Sequence, residues 1–110
     1  MLHEKLICYQ KSVQLAAELT TQSRAWARGH GFLVDQLKRA IGSVVLNCSE
    51  GNARSGATER RRFFEISRAS IAEVGSCLDL AHAFRLIDSN AFRIWKDQCH
   101  QISKMFYRLN

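Results

Sequence analysis

The chain has 110 residues, 46% hydrophobic and 24% charged, with no proline and a formal net charge of +6. That is material for about one small domain, and no run of about 18 apolar residues is present that could span a membrane. The basic balance favours a polyanionic partner, whether RNA, DNA or an acidic protein surface.

The absence of proline and the presence of only six glycines favour long helices, and the apolar spacing bears out four of them. In the first, Leu2, Leu6, Tyr9, Val13 and Ala16 recur at steps of four, three, four and three, predicting one helix face to about Ser23. The opening "MLHEKLICYQKS" carries charge in its first five residues and lacks a signal peptide's apolar run and cleavage site. A cytoplasmic location is therefore expected. The stretch "ARGHG", Ala27 to Gly31, breaks the pattern.

The second helix carries Leu33, Leu37, Ala40, Val44 and Cys48 in the same rhythm. It is expected to end near Glu50, with Gly51 as a left-handed C-terminal residue. After the polar link "NARSGA", Thr58 is the expected N-cap of a third helix, with Glu59 in its first turn. Its stripe is Phe63, Ser67, Ser70, Val74, Cys77, Ala81 and Phe84, and it should reach Leu86. Asp88 or Ser89 then caps a fourth helix with the stripe Phe92, Trp95, Cys99, Ile102 and Phe106.

Sustained three-four spacing with short links makes antiparallel neighbours packed at small crossing angles. The expected fold is all-α, one antiparallel up-down four-helix bundle domain over residues 1–110. Cys8, Cys48, Cys77 and Cys99 are spread evenly without a CxxC pair and read as buried reduced thiols. Tyr9, Trp95 and Tyr107 are expected in or beside the core, and Trp26, near the first link, on the surface.

The charge is unevenly placed. Lys38, Arg39, Arg54, Arg60, Arg61, Arg62 and Arg68 face only Glu50, Glu59 and Glu65 across that span, a local excess of +4. Arg60 to Arg62 sit where a helix begins, and each cation there opposes the helix dipole by about 0.3–1 kcal/mol. A bound phosphate reverses the sign, because first-turn N–H groups and guanidinium groups then act on one anion. On a helical wheel Arg61 and Arg68 point away from the apolar stripe, Arg62 lies on its flank, and Arg60 leans inward. Arg61 and Glu65 are four apart and can pair.

Other chemistry finds little support. Asp79 and His82 form a single DxxH without the second ExxH that a di-metal bundle site needs. Cys99 and His100 are adjacent and so face different ways. Ser76, Asp79 and His82 lack a nucleophile elbow, and Gly51 and Gly56 are too sparse for a phosphate loop. His3 and His30 have no identifiable partner. The chain is expected to be non-catalytic, without cofactor or metal.

The corner also carries a resemblance. Its pattern falls on Gln36, Leu37, Lys38, Arg39 and Ala40, then Asn47, Glu50, Gly51 and Arg54, then Glu59, Phe63, Ile66, Ser70 and Glu73. This resembles the bacterial four-helix bundle family encoded in 23S rRNA intervening sequences, which includes the accessory variability determinant proteins of diversity-generating retroelements. The family's usual proline is absent, Val45 and Leu46 occupying that stretch. The resemblance implies a homopentameric ring able to contact nucleic acid and, in the retroelement members, working with a reverse transcriptase and RNA.

Asn47 and Glu50 are then expected to hold the corner, through the link's backbone or through a Glu50–Arg54 pair. Glu73 is expected to accept a hydrogen bond from a neighbouring helix. The function expected is that of an accessory protein binding nucleic-acid phosphates through the seven basic residues. The alternative is a scaffold docking an acidic protein partner such as a reverse transcriptase. No membrane partner is expected.

Overall fold

A computed structural model describes residues 2–109, in which four long helices pack side by side into a body of 44 × 23 × 18 Å. They are α1 (Leu2–Ser23), α2 (Ala27–Ala53), α3 (Ala57–Ala83) and α4 (Ser89–Leu109). Each packs on its neighbour in sequence, and α4 returns to α1. The diagonal pairs do not meet among the described residues. The α2–α3 pairing is the most extensive and α1–α4 the sparsest. A groove of about 390 Å³ runs between α1 and α4, lined by Lys11, Gln14, Glu18, Asp97 and Gln101 together with Ile94 and Ile102. No helix among the described residues is long and apolar enough to cross a membrane.

The predicted stripe of α2 is the buried one: Leu33, Leu37, Ala40, Val44 and Cys48 all lie in the core, joined by Val34 and Ile41. That helix is interrupted near its start, where Arg28, Gly29 and His30 leave helical geometry and Gly29 takes a φ of +89°. This is the break expected at "ARGHG". A short 3-10 turn, Arg24–Trp26, precedes it and rolls the Trp26 indole inward to 3% exposure. Trp26 is therefore a core residue, not the surface aromatic its place near a link implied.

In α1 the phase differs from expectation. Cys8, Ser12, Leu15, Leu19 and Ser23 are buried, whereas Leu2, Leu6 and Val13 are exposed. The helix carries two apolar stripes about 100° apart on a helical wheel, and packing selects the one containing serines. Their hydroxyls are satisfied within the helix, Ser12 by the Cys8 carbonyl at 2.9 Å and Ser23 by the Thr20 carbonyl at 3.2 Å. Small side chains let the neighbouring helices approach.

In α3 the interior of the predicted stripe, Ser67, Ser70, Val74, Cys77 and Ala81, is buried. At its start Phe64 fills the core and Phe63 is only half-buried. At its end Phe84 is 41% exposed, because the helix stops at Ala83 rather than Leu86. Arg85 turns left-handed at φ 61°, and the Leu86 and Arg85 amides return to the carbonyls of Ala81 and His82 at 2.8 and 3.0 Å. That is a Schellman motif with a non-glycine residue at its left-handed position. The helix opens at Gly56 rather than Thr58, without a side-chain cap.

Asp88 caps α4 by accepting from the Ala91 amide at 2.8 Å. Trp95, Cys99, Ile102 and Phe106 are buried as predicted, with Phe92 at the margin. Tyr107, expected beside the core, is 64% exposed. All four cysteines are buried free thiols. That of Cys8 is held above the usual thiol range by a hydrogen bond with Cys48 of α2 and by burial.

Candidate nucleic-acid interface

Small residues on the facing sides of α2 and α3 set the corner on which the basic cluster sits. The Ser67 hydroxyl donates to the Val44 carbonyl at 2.9 Å, and the Ser43 and Ser70 hydroxyls meet at 2.7 Å. Closer to the link, Gly51 lies against the Phe64 ring. These contacts hold the end of α2 and the beginning of α3 together, so a three-residue link, Arg54 to Gly56, is enough to reverse the chain.

Gly51 is thus a buried helical residue and not a left-handed terminator; α2 runs past it to Ala53. Nor does Asn47 brace the link. Its amide donates back along α2 to the Ser43 carbonyl at 2.9 Å and hydroxyl at 3.1 Å. Glu50 does pair with Arg54, at 2.8 Å. Glu73 is exposed and makes no hydrogen bond or ion pair among the described residues, because α3 turns it to solvent rather than toward a neighbour.

The seven basic residues divide into four groups. Arg54 is clamped: besides Glu50 it reaches Glu59 at 4.0 Å, and its guanidinium lies 5.0 Å from the centre of the Phe63 ring. Arg60 donates to the Ser55 carbonyl at 2.6 Å and so braces the link. Arg61 and Arg62 are exposed in the opening turns of α3, with no ion-pair partner among the described residues. The expected Arg61–Glu65 pair does not form.

The remaining three are spread along the bundle. Arg39 precedes Arg54 by about 22 Å of helix and Lys38 lies further still, both exposed on α2. Arg68 lies about 10 Å along α3 from Arg61 and covers the Tyr107 ring of α4 at 4.8 Å. The corner itself therefore gathers Arg54, Arg60, Arg61 and Arg62; the last three have no carboxylate partner among the described residues, and of these Arg61 and Arg62 are the exposed ones. The amides of Ala57 to Glu59 meet no side-chain cap, which leaves the start of α3 open to an anion.

Tyr107, Lys104 and Arg108 belong to the same basic surface by position, beside Arg68. Reading the charge run alone misses them because they lie some forty residues further along. The signal for them was the tail of the chain, which carries no acidic residue after Asp97. Elsewhere Asp79 pairs with Lys96 at 2.8 Å and His82 stacks on Phe92, so neither is arranged for catalysis with Ser76. No group of three metal-ligating side chains converges among the described residues.

Comparison with known proteins agrees with this architecture. A crystal structure of a protein of unknown function from the S23 ribosomal protein family of Bacteroides thetaiotaomicron VPI-5482 superposes with a TM-score of 0.88. It shares 14% sequence identity, and the match covers 96% of each chain. No curated protein sequence matches. The family model for the 23S rRNA-intervening sequence protein matches residues 4–108, and with that span the chain belongs to this family.

Proposed function

We propose that this chain is a non-catalytic accessory protein that binds the phosphate backbone of nucleic acid at the corner between α2 and α3. The observation that carries the reading is the exposure of Arg61 and Arg62, without carboxylate partners, beside an uncapped helix start. From the second turn of α3 both side chains lean back toward its N-terminus, where an anion would meet the two guanidinium groups and the first-turn amides together. Arg68 and, further off, Lys38 and Arg39 extend the positive surface. The contacts are to phosphate, so binding is independent of sequence and falls steeply with salt. The protein works in the cytoplasm in this reading.

Assembly into a ring, of five copies by the family resemblance, repeats this surface around a symmetry axis. The exposed second stripe of α1, Leu2, Leu6 and Val13, supports a protein-covered face there. It equally supports the alternative of a scaffold for a protein partner such as a reverse transcriptase, with the basic surface meeting acidic groups.

Titration of single- and double-stranded RNA and DNA at two salt concentrations tests the reading, with solution mass measured in parallel. Affinity that drops with salt, and drops again in Arg61→Gln/Arg62→Gln, is expected. A flat salt response, or full affinity in the double variant, overturns nucleic-acid binding. A solution mass near the 12.5 kDa of one chain overturns the ring.

A further inference from the structure

The groove between α3 and α4 is built differently from the corner. About 210 Å³ in volume, it is lined by Arg68, His100, Ser103, Lys104, Tyr107 and Arg108. A second depression of about 300 Å³ shares His100 and Ser103 with it and continues toward Lys96 over the small residues Ala72 and Gly75. The two make one trough along the helix pair. Lys96, His100, Lys104 and Tyr107 recur along α4 at steps of four, four and three, so they share one face. Lys96 is spent on Asp79 and the Gly75 carbonyl. Arg68, Lys104 and Arg108 have no carboxylate partner among the described residues.

Within this basic trough stands one phenol ring. Arg68 lies 4.8 Å from the centre of the Tyr107 ring, which nonetheless stays 64% exposed. A tyrosine tethered by a guanidinium on one side and open to solvent offers a flat platform beside phosphate-binding charges. That is the combination by which single strands are held, bases stacking on aromatics while cations track the backbone. In a duplex the faces of the bases are already stacked on one another, so a duplex has no base to give this platform.

We infer that the α3–α4 trough seats an unpaired nucleotide of a single-stranded nucleic acid, with its base on Tyr107 and its phosphates on Arg68, Lys104 and Arg108. The inference rests on the nucleic-acid reading above and names the form of nucleic acid preferred. Arg61, two turns along α3 from Arg68, makes the trough continuous with the corner, so one strand follows both.

The test compares a fluorescently labelled single-stranded RNA with the duplex of the same sequence and length, using the full chain at fixed salt. Tyr107→Ala is expected to weaken single-strand binding by about tenfold or more and to leave duplex binding and solution mass unchanged. Tyr107→Phe, which keeps the platform, is expected to bind the single strand as the parent does. Equal loss on both RNAs, no loss on the single strand, failure of Tyr107→Phe to retain affinity, or an altered solution mass each overturns the inference. The last result would make the trough a contact between copies. If the parent binds both RNAs, Arg61→Gln/Arg62→Gln weakens both and Tyr107→Ala weakens neither, the trough assignment falls and the corner stands. If the parent binds neither RNA, both fall.

Discussion

Gly51 of α2 lies so close to Phe64 of α3 that a Cβ built on it would fall 2.6 Å from the ring's Cε1 atom. The ring is fully buried, so it can yield only by displacing other core side chains. Alanine normally gains about 1 kcal/mol over glycine inside a helix, but overpacking a filled core costs about 1–3 kcal/mol. Gly51→Ala is therefore expected to lower the denaturation midpoint. Gly42→Ala, where the added carbon meets nothing within 4 Å, is expected to raise it. Chemical denaturation of the two variants side by side reads the sign directly.

Arg85 ends α3 in a left-handed conformation that costs an L-residue about 1–2 kcal/mol. Glycine adopts it freely but loses more backbone entropy on folding. The balance predicts that Arg85→Gly stabilises the bundle modestly, by about 0.5–1 kcal/mol. A thermal melt that falls instead would show that the Arg85 side chain stabilises the link.

The cap on α4 is a single hydrogen bond from the Ala91 amide to the Asp88 carboxylate. Removing it in Asp88→Ala leaves that amide to water and is expected to cost about 1 kcal/mol. Asp88→Asn or Asp88→Ser retains an acceptor and is expected to retain most of the stability. Equal losses in all three would assign the effect to something other than the cap.

Burial pushes the Cys99 thiol from its ordinary 9.0 up to about 12, against a smaller pull downward from the charge of Lys96. In the unfolded chain the thiol ionises first, so above pH 9 the folded state holds more protons than the unfolded one. The stability contributed by the buried thiol is complete below pH 9 and is lost progressively toward pH 12. Cys77 is raised as well, by burial and then by Glu73. Cys99→Ala is expected to flatten the alkaline decline in stability measured by urea titration. An unchanged slope would show that other groups govern it.

How much could be read from the sequence varied by helix, for physical reasons. In α2 only one face is apolar enough to bury, so Leu33 to Cys48 identified it. In α1 the stripe through Leu6 and Val13 is the more hydrophobic of two, yet the core takes the one with Ser12 and Ser23. Periodicity supplies an angle but not the neighbour that chooses between angles. At the corner, Arg54–Glu50 was legible because i,i+4 spacing implies contact. Arg60 to Ser55 and Arg54 to Glu59 depend on how the link folds. Proximity in sequence also grouped Lys38 with Arg62, which helix length then separates. It hid Lys104 and Arg108, which the antiparallel return of α4 brings beside Arg68.

The seam between α1 and α4 is the sparsest among the neighbouring long helices and carries an open groove along its length. α1 meets α4 more sparsely than any other pair of neighbouring long helices meets, so local opening is expected to begin at that seam. Amide exchange should register this as faster deuterium uptake along α1 than along the α2–α3 pair. Whatever covers the outer leucines of α1 would also slow that opening.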